Sequence, residues 1–168
     1  MRVSSRVPDA FDLLGVDARF NLTPGEVRAA YLAKARSRGG DAGAEESEDA
    51  ALNAAKMALS DPEARANLLL ARLGGPSKEV NRGLPDGFLM SMMEAREELE
   101  AAAARRDSAG IEKWRVWAER ERDGHVARVG ALFGGTGGRP DGKTLAAIRQ
   151  ELNAWRYIER MLEQIGEL

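Results

Sequence analysis

From position 145 to the C-terminus the apolar residues advance in steps of three and four: Leu145, Ile148, Leu152, Trp155, Ile158, Leu162 and Ile165. A helix turning about 100° per residue gathers all seven into one stripe, whereas a strand would scatter them over two faces. So long a stripe must be covered by other elements. Two earlier segments, roughly 87–106 and 109–133, have the same character; in the later one Ile111, Trp114, Trp117, Val129, Leu132 and Phe133 are the expected inward residues. The links between the three segments are Asp107-Ser108 and the glycine-rich run from Gly134 to Gly142. Three helices joined by short links predict an antiparallel bundle over 88–168. No stretch alternates as a strand does, so the whole chain reads as all-α.

The N-terminal part has its own punctuation. Asp9 caps a short helix through Phe11, Leu13 and Leu14, which Gly15 stops. Thr23-Pro24-Gly25-Glu26 opens a second helix with a hydroxyl cap, a proline at the first helical position and a carboxylate three residues after the cap. That helix spaces Val27, Ala30, Tyr31 and Ala35 on one side and carries Arg28, Lys34 and Arg36 elsewhere. Phe20 and Leu22 are expected to anchor the connection that precedes it. A basic turn, Arg36-Ser37-Arg38-Gly39-Gly40-Asp41, separates it from a third helix marked by Leu52, Ala55 and Leu59. The acidic run at 41–49 suits the positive end of that third helix. The two helices form a hairpin with the basic loop at its tip. Ser60-Asp61-Pro62 starts a fourth helix containing Ala66, Leu68, Leu69, Leu70 and Leu73. Gly74-Gly75-Pro76 and the turn residues that follow divide the chain into a first domain at 1–73, a linker at 74–87 and the bundle at 88–168.

Composition excludes several functions. With 25 basic and 27 acidic side chains the formal net charge is −2, so no global field draws the protein to nucleic acid or to an anionic membrane. With no cysteine there is no thiolate zinc site or thiol nucleophile, and a single histidine cannot build a histidine metal site, so metal chemistry is not expected. His125 is expected polar or half-buried, without catalytic duty. No stretch approaches the roughly 20 apolar residues of a membrane span, and the N-terminus lacks the apolar core of a signal peptide. No set of carboxylates or hydroxyls forms a credible catalytic group. The expectation is a cytoplasmic non-enzyme without cofactor.

The segment 88–102 is apolar on two sides. Phe88, Met92, Ala95, Leu99 and Ala102 gather on one face, and Leu89, Met90, Met93, Glu94 and Glu97 gather about opposite. A bundle buries one side of each helix, so Leu89, Met90 and Met93 are expected as an exposed apolar patch edged by carboxylates. Such a patch marks a partner site, and methionine suits a surface that adapts to its partner. The alternative is that the first domain covers it. One further motif competes: Gly137 to Thr144 satisfies the phosphate-binding pattern G-x-x-x-x-G-K-T, with Lys143 as its lysine. That motif needs a strand before it and a sheet around it, and only helical pattern flanks it here, which favours an interhelical loop over a nucleotide binder.

Three segments in order resemble the HscB-type J-domain co-chaperones. Phe11-Asp12-Leu13-Leu14-Gly15-Val16-Asp17-Ala18-Arg19-Phe20-Asn21-Leu22 is similar to the family's opening, Asp61 to Leu70 to its fourth-helix signature, and Phe88 to Leu99 to the first helix of its C-terminal bundle. The resemblance implies an N-terminal J-domain-like helical hairpin domain followed by a scaffold-binding bundle. It implies two partners, a DnaK/HscA-type chaperone and an iron–sulfur scaffold protein. On the matching positions, Lys34, Arg36, Arg38, Gly39, Gly40 and Asp41 would dock on the chaperone. Leu89, Met90, Met93, Glu94, Glu97 and Tyr157 would bind the scaffold. The chain departs from the family at its trigger: where J-domains carry His-Pro-Asp, it has Gly39-Gly40-Asp41. Glycine in place of proline adds freedom that a productive contact must remove. The departure implies weak or lost stimulation of the chaperone's ATPase, or a pseudo-J-domain adaptor that does not activate a chaperone.

Overall fold

The computed structural model describes residues 7–37, 45–134 and 139–168, and every regular element among them is an α-helix. The chain divides into two compact units, Met1–Arg72 and Leu73–Leu168.

In the first unit α1 (Ala10–Leu14) begins at a reciprocal cap: the Asp9 carboxylate accepts from the Phe11 and Asp12 amides while Asp12 accepts from the Asp9 amide. It ends at Gly15, whose φ of 66° is a left-handed conformation that side chains resist. α2 (Pro24–Ser37) opens as the sequence predicts, with Glu26 N–H donating to Thr23 Oγ1 and Glu26 Oε2 accepting from the Thr23 amide at 2.8 Å. α3 (Glu45–Ser60) runs back against it, Lys56 Nζ resting over the Tyr31 ring, and α4 (Pro62–Arg72) starts at the Asp61 cap. The core is Phe11, Leu14, Phe20, Leu22, Val27, Leu52, Ala55, Leu59, Ala66, Leu69 and Leu70. Phe20 and Leu22 thus anchor the connection before α2, as expected. Two arginines brace the unit. Arg65 is buried and donates to the Phe20 and Leu59 carbonyls, tying the connection before α2 to the end of α3, and burial pushes its pKa down. Arg72, at the end of α4, bridges Asp9 and Asp12 at the start of α1, and those hydrogen bonds push its pKa up.

The second unit is the three-helix bundle. α5 (Phe88–Ala104) ends in a six-residue closing turn in which Asp107 N–H reaches the Ala102 carbonyl and Arg106 N–H the Ala103 carbonyl. Arg106 holds the left-handed position usually given to glycine, at φ 52°. α6 (Ser108–Gly134) returns antiparallel, and α7 (Gly142–Gly166), capped by Asp141, runs alongside α5 in the same direction. Ring contact between Phe88 and Tyr157 and the hydrogen bond from Arg96 to Gln164 fix that parallel register. The stripe expected on α7 is buried except at Leu162, which is partly covered. Met92, Ala95 and Leu99 of α5 meet Ala118 of α6 and Ala154, Ile158, Met161 and Ile165 of α7. Trp155 is buried, while Trp114 and Trp117 cover the core from outside, edge to face with each other.

The turn-rich stretch before α5 is tied along this unit. Arg149 Nε donates to the Pro76 carbonyl at 3.0 Å, Asn153 donates to the carbonyls of Asn81 and Gly83, and Arg139 donates to that of Leu73.

Candidate functional site

The register of α5 decides what it shows to solvent. Phe88, Met92, Ala95, Leu99 and Ala102 are its buried residues. Leu89, Met90 and Met93 lie on the remaining surface, 55%, 69% and 65% exposed. Glu94 and Glu97 are exposed on the same helix. Tyr157 of α7 is 43% exposed and meets the Phe88 ring edge to face, with centroids 6.1 Å apart. Phe88 belongs to the buried stripe of α5, so this contact ties Tyr157 to α5 from its core side. The outward side of α5 is thus an apolar face that also carries two carboxylates. An exposed apolar face of this kind has the composition of a surface that another molecule could cover.

Beneath this surface lies a polar cluster that spacing did not reveal. His125 is 1% exposed, a correction to the half-buried position expected from sequence. Its burial was legible, since it shares a stripe with Ala118 and Val129 at helical spacing. Its partners were not, because Glu151 lies 26 residues away on another helix. Glu151 Oε2 is 2.6 Å from His125 Nδ1 and accepts from Arg128 Nε at 2.9 Å. The His125 ring also meets Phe88 edge to face at 5.4 Å.

A second candidate surface lies on α2. Val27 is its only buried residue, and Arg28, Lys34 and Arg36 are exposed. Lys34 and Arg36 occupy the last turn, where cations complement the helix dipole. Lys34 also leans over the end of α1: a β-carbon at Gly15 would sit 3.2 Å from its Cε. Gly15 is thus fixed by its left-handed φ and by the lysine passing over it. Arg38, Gly39, Gly40 and Asp41 lie outside the described residues.

The phosphate-loop pattern does not find the surroundings it needs. α6 is helical through Gly134, so no strand leads into the glycines, and the Thr144 amide at the start of α7 donates to Asp141 Oδ1 at 2.8 Å. An incoming phosphate would meet a carboxylate already seated there; the hydrogen bond from the Thr144 amide holds the Asp141 carboxyl below the usual range. Gly137 and Gly138 lie outside the described residues. Among the described residues, no group of three histidine, aspartate or glutamate side chains could hold a metal ion, and no helix is long and apolar enough to cross a membrane.

Comparisons with known proteins converge on this architecture. The human co-chaperone protein HscB superposes with a TM-score of 0.77 over 97% of this chain and 83% of that one, at 18% identity. Chaperone HscB from Vibrio cholerae gives 0.73 over 95% of this chain and 96% of that one, at 19% identity. At such identities the likeness speaks for the fold alone, an all-α chain of J-domain-like helices and a helical bundle. Sequence carries it further. The co-chaperone protein HscB homolog of Burkholderia mallei is 31% identical over 166 residues, covering 93% of this chain and 91% of that protein. The Burkholderia multivorans homolog is 30% identical over the same shares. A family model described as the HSCB C-terminal oligomerisation domain matches residues 84–166, the bundle bearing the exposed face of α5. Matched along nearly its whole length, this chain belongs to the HscB co-chaperone family.

Proposed function

We propose that this protein is a co-chaperone of iron–sulfur cluster assembly whose two units serve two partners. Leu89, Met90 and Met93, with Glu94, Glu97 and Tyr157, receive an iron–sulfur scaffold protein. Lys34, Arg36 and Arg38, with Gly39-Gly40-Asp41, dock on a DnaK/HscA-type chaperone. The observation that carries the reading is the exposure of three large apolar side chains on the face of α5 turned away from its core, beside a half-exposed tyrosine. A solvated helix has no use for that arrangement, and an adaptable methionine surface suits a protein client.

The Gly39-Gly40 pair supports a narrower version, in which docking is electrostatic and the ATPase trigger is weakened. The extreme of that version is a pseudo-J-domain adaptor that binds without activating. Single-turnover ATP hydrolysis by the DnaK-family chaperone from the same source separates these outcomes. The expected result is slight stimulation by the unaltered protein and stimulation about tenfold stronger by the Gly39→His/Gly40→Pro double variant, since each tenfold corresponds to only about 1.4 kcal/mol at the transition state. Equal, strong stimulation by the two proteins would overturn the weakened trigger, and silence from them alike would leave the adaptor.

A further inference from the structure

Leu89, Met93 and Arg96 follow one another on α5 at spacings of four and three, and Met90, Glu94 and Glu97 repeat that spacing one position along. Each set forms its own stripe on the outward side of the helix. The stripes end differently, the first on a cation and the second on two carboxylates. The first lies beside α7, since Arg96 Nη2 donates to Gln164 Oε1 across the two helices at 3.3 Å. On α7 itself Tyr157, Arg160 and Gln164 are spaced by three and four. Tyr157 meets Phe88 of α5 and Gln164 meets Arg96, so Arg160, between them on the same stripe, is turned to the same side.

Because α5 and α7 run parallel, the two stripes lie side by side along one seam. The seam is apolar at one end, where Leu89, Met93 and Tyr157 are exposed, and cationic at the other, where Arg96 and Arg160 are exposed. Seven residues of helix separate Leu89 from Arg96, about 10 Å along the axis.

Neither arginine is neutralised by an ion pair among the described residues. Arg96 meets an uncharged amide, although Glu97 and Glu100 are its neighbours on α5, and Arg160 meets no carboxylate. The acids nearest Arg160 in sequence are engaged elsewhere: Glu163 with Arg156 at 3.4 Å, and Glu159 with Trp155 Nε1 at 2.8 Å. On α6, by contrast, Arg115 holds Glu112 and Arg128 holds Glu151. The amide of Gln164 orients the Arg96 guanidinium while leaving its charge and most of its five donors for an outside anion. Glu94 and Glu97 edge the opposite margin of the same apolar face. A partner laid across α5 thus meets cations on one flank and anions on the other, and one orientation alone matches both.

We infer that Arg96 and Arg160 receive a carboxylate of the scaffold partner, carried about 10 Å from the apolar side chains that cover Leu89 and Tyr157, and that this pairing fixes the direction in which the partner lies along the α5–α7 seam. The inference rests on the scaffold-binding reading of α5 and adds to it the charge that the partner must present.

The test is calorimetry of the full chain with a purified iron–sulfur scaffold protein at about 0.1 M salt. Arg96→Gln/Arg160→Gln should weaken binding about tenfold, whereas Arg96→Lys/Arg160→Lys, which keeps the charges, should weaken it no more than about threefold. Arg120→Gln/Arg122→Gln, which removes two charges from α6, should leave it unchanged. Among Asp→Asn and Glu→Gln variants of the scaffold, one should weaken binding to the parent about tenfold and binding to the double glutamine variant less than about twofold, the signature of a direct pair. Arg160→Gln alone, expected to cost about threefold, serves if the double variant fails to fold. Undiminished affinity in the glutamine variants, an equal loss in the α6 control, or the absence of any scaffold carboxylate that couples would overturn the inference and leave the scaffold reading standing. A parent protein that binds no scaffold at all would overturn both.

Discussion

α2 and α5 each bury a narrow strip and present the rest to solvent, but they present opposite chemistries. On α2 a single buried residue, Val27, faces the core, and the exposed side carries Arg28, Lys34 and Arg36. On α5 a full stripe faces the core and the exposed side carries Leu89, Met90 and Met93 with Glu94 and Glu97. Charge is cheap to expose because water solvates it, so a basic helix face is weak evidence for a partner taken alone. Exposed apolar area gains nothing from water and everything from being covered. The two surfaces should also act over different ranges. A cationic helix end attracts at a distance and is screened by salt, whereas an apolar face contributes at contact and is largely indifferent to salt.

Met92 and Met93, adjacent in sequence, give the sharpest form of this contrast. Met92→Ala, which removes a buried side chain from the α5–α7 interface, should lower unfolding free energy by about 2–5 kcal/mol in denaturant titration. Met93→Ala should change it by no more than about 0.5 kcal/mol, as exposed substitutions do. Equal losses would mean that the outward face is structural. Next in size is the combined replacement Leu89→Ala/Met90→Ala/Met93→Ala. It should weaken scaffold binding by about 100-fold in calorimetry while leaving thermal unfolding near the parent's, since a few apolar anchors supply most of an interface's energy. An unaffected scaffold would break the proposed assignment of α5.

The basic end of α2 should behave differently. Lys34→Ala/Arg36→Ala should slow chaperone association about fivefold at low salt, with the difference largely gone near 0.5 M salt, where exposed charges more than a few ångströms apart are screened. An effect that persists at high salt would point to close, desolvated contacts in place of steering. The smallest effect concerns the cap that holds α2 in place. Backbone and side-chain hydrogen bonds from Thr23, with Arg19 beside it, hold the Glu26 carboxyl below the usual carboxylate range. A carboxyl depressed in the folded state stabilises it above the unfolded value, and that contribution drains as pH falls through the lower folded value. The protection of amides in the first turn of α2, their exchange rate relative to the unstructured chain at the same pH, should therefore fall on acidification below the usual carboxylate range. Glu26→Gln should show lower protection of those amides at neutral pH and a flatter dependence of protection on acid.

Much of the fold was legible because its signals are local. Helix starts at Asp9, Thr23 and Asp61 are capping chemistry completed within three residues, and Gly15 ends α1 through its own backbone angle. The apolar stripe of α7 and the two-sided pattern of α5 follow from periodicity alone. The candidate partner face was legible too, since a helix with apolar residues on opposite sides cannot hide them all in a three-helix bundle. What local pattern could not show is how distant residues meet. Arg65 satisfying the Phe20 carbonyl spans 45 positions, and Asn153 holding the Asn81 carbonyl spans 72. The Asn153 and Arg149 contacts explain why a turn-rich stretch read as a linker lies along α7.

His125 marks the dividing line. Its place on the Val129 stripe, and hence its burial, was determined by sequence through the 3.6-residue period, which acts residue by residue. Its meaning was decided by tertiary structure, because three helices of different sequence origin bring Glu151, Arg128 and Phe88 around one ring. The physical reason is one of range. Backbone conformation and amphipathicity are settled within a few residues, whereas the environment of a buried polar atom depends on every side chain that packing delivers to it.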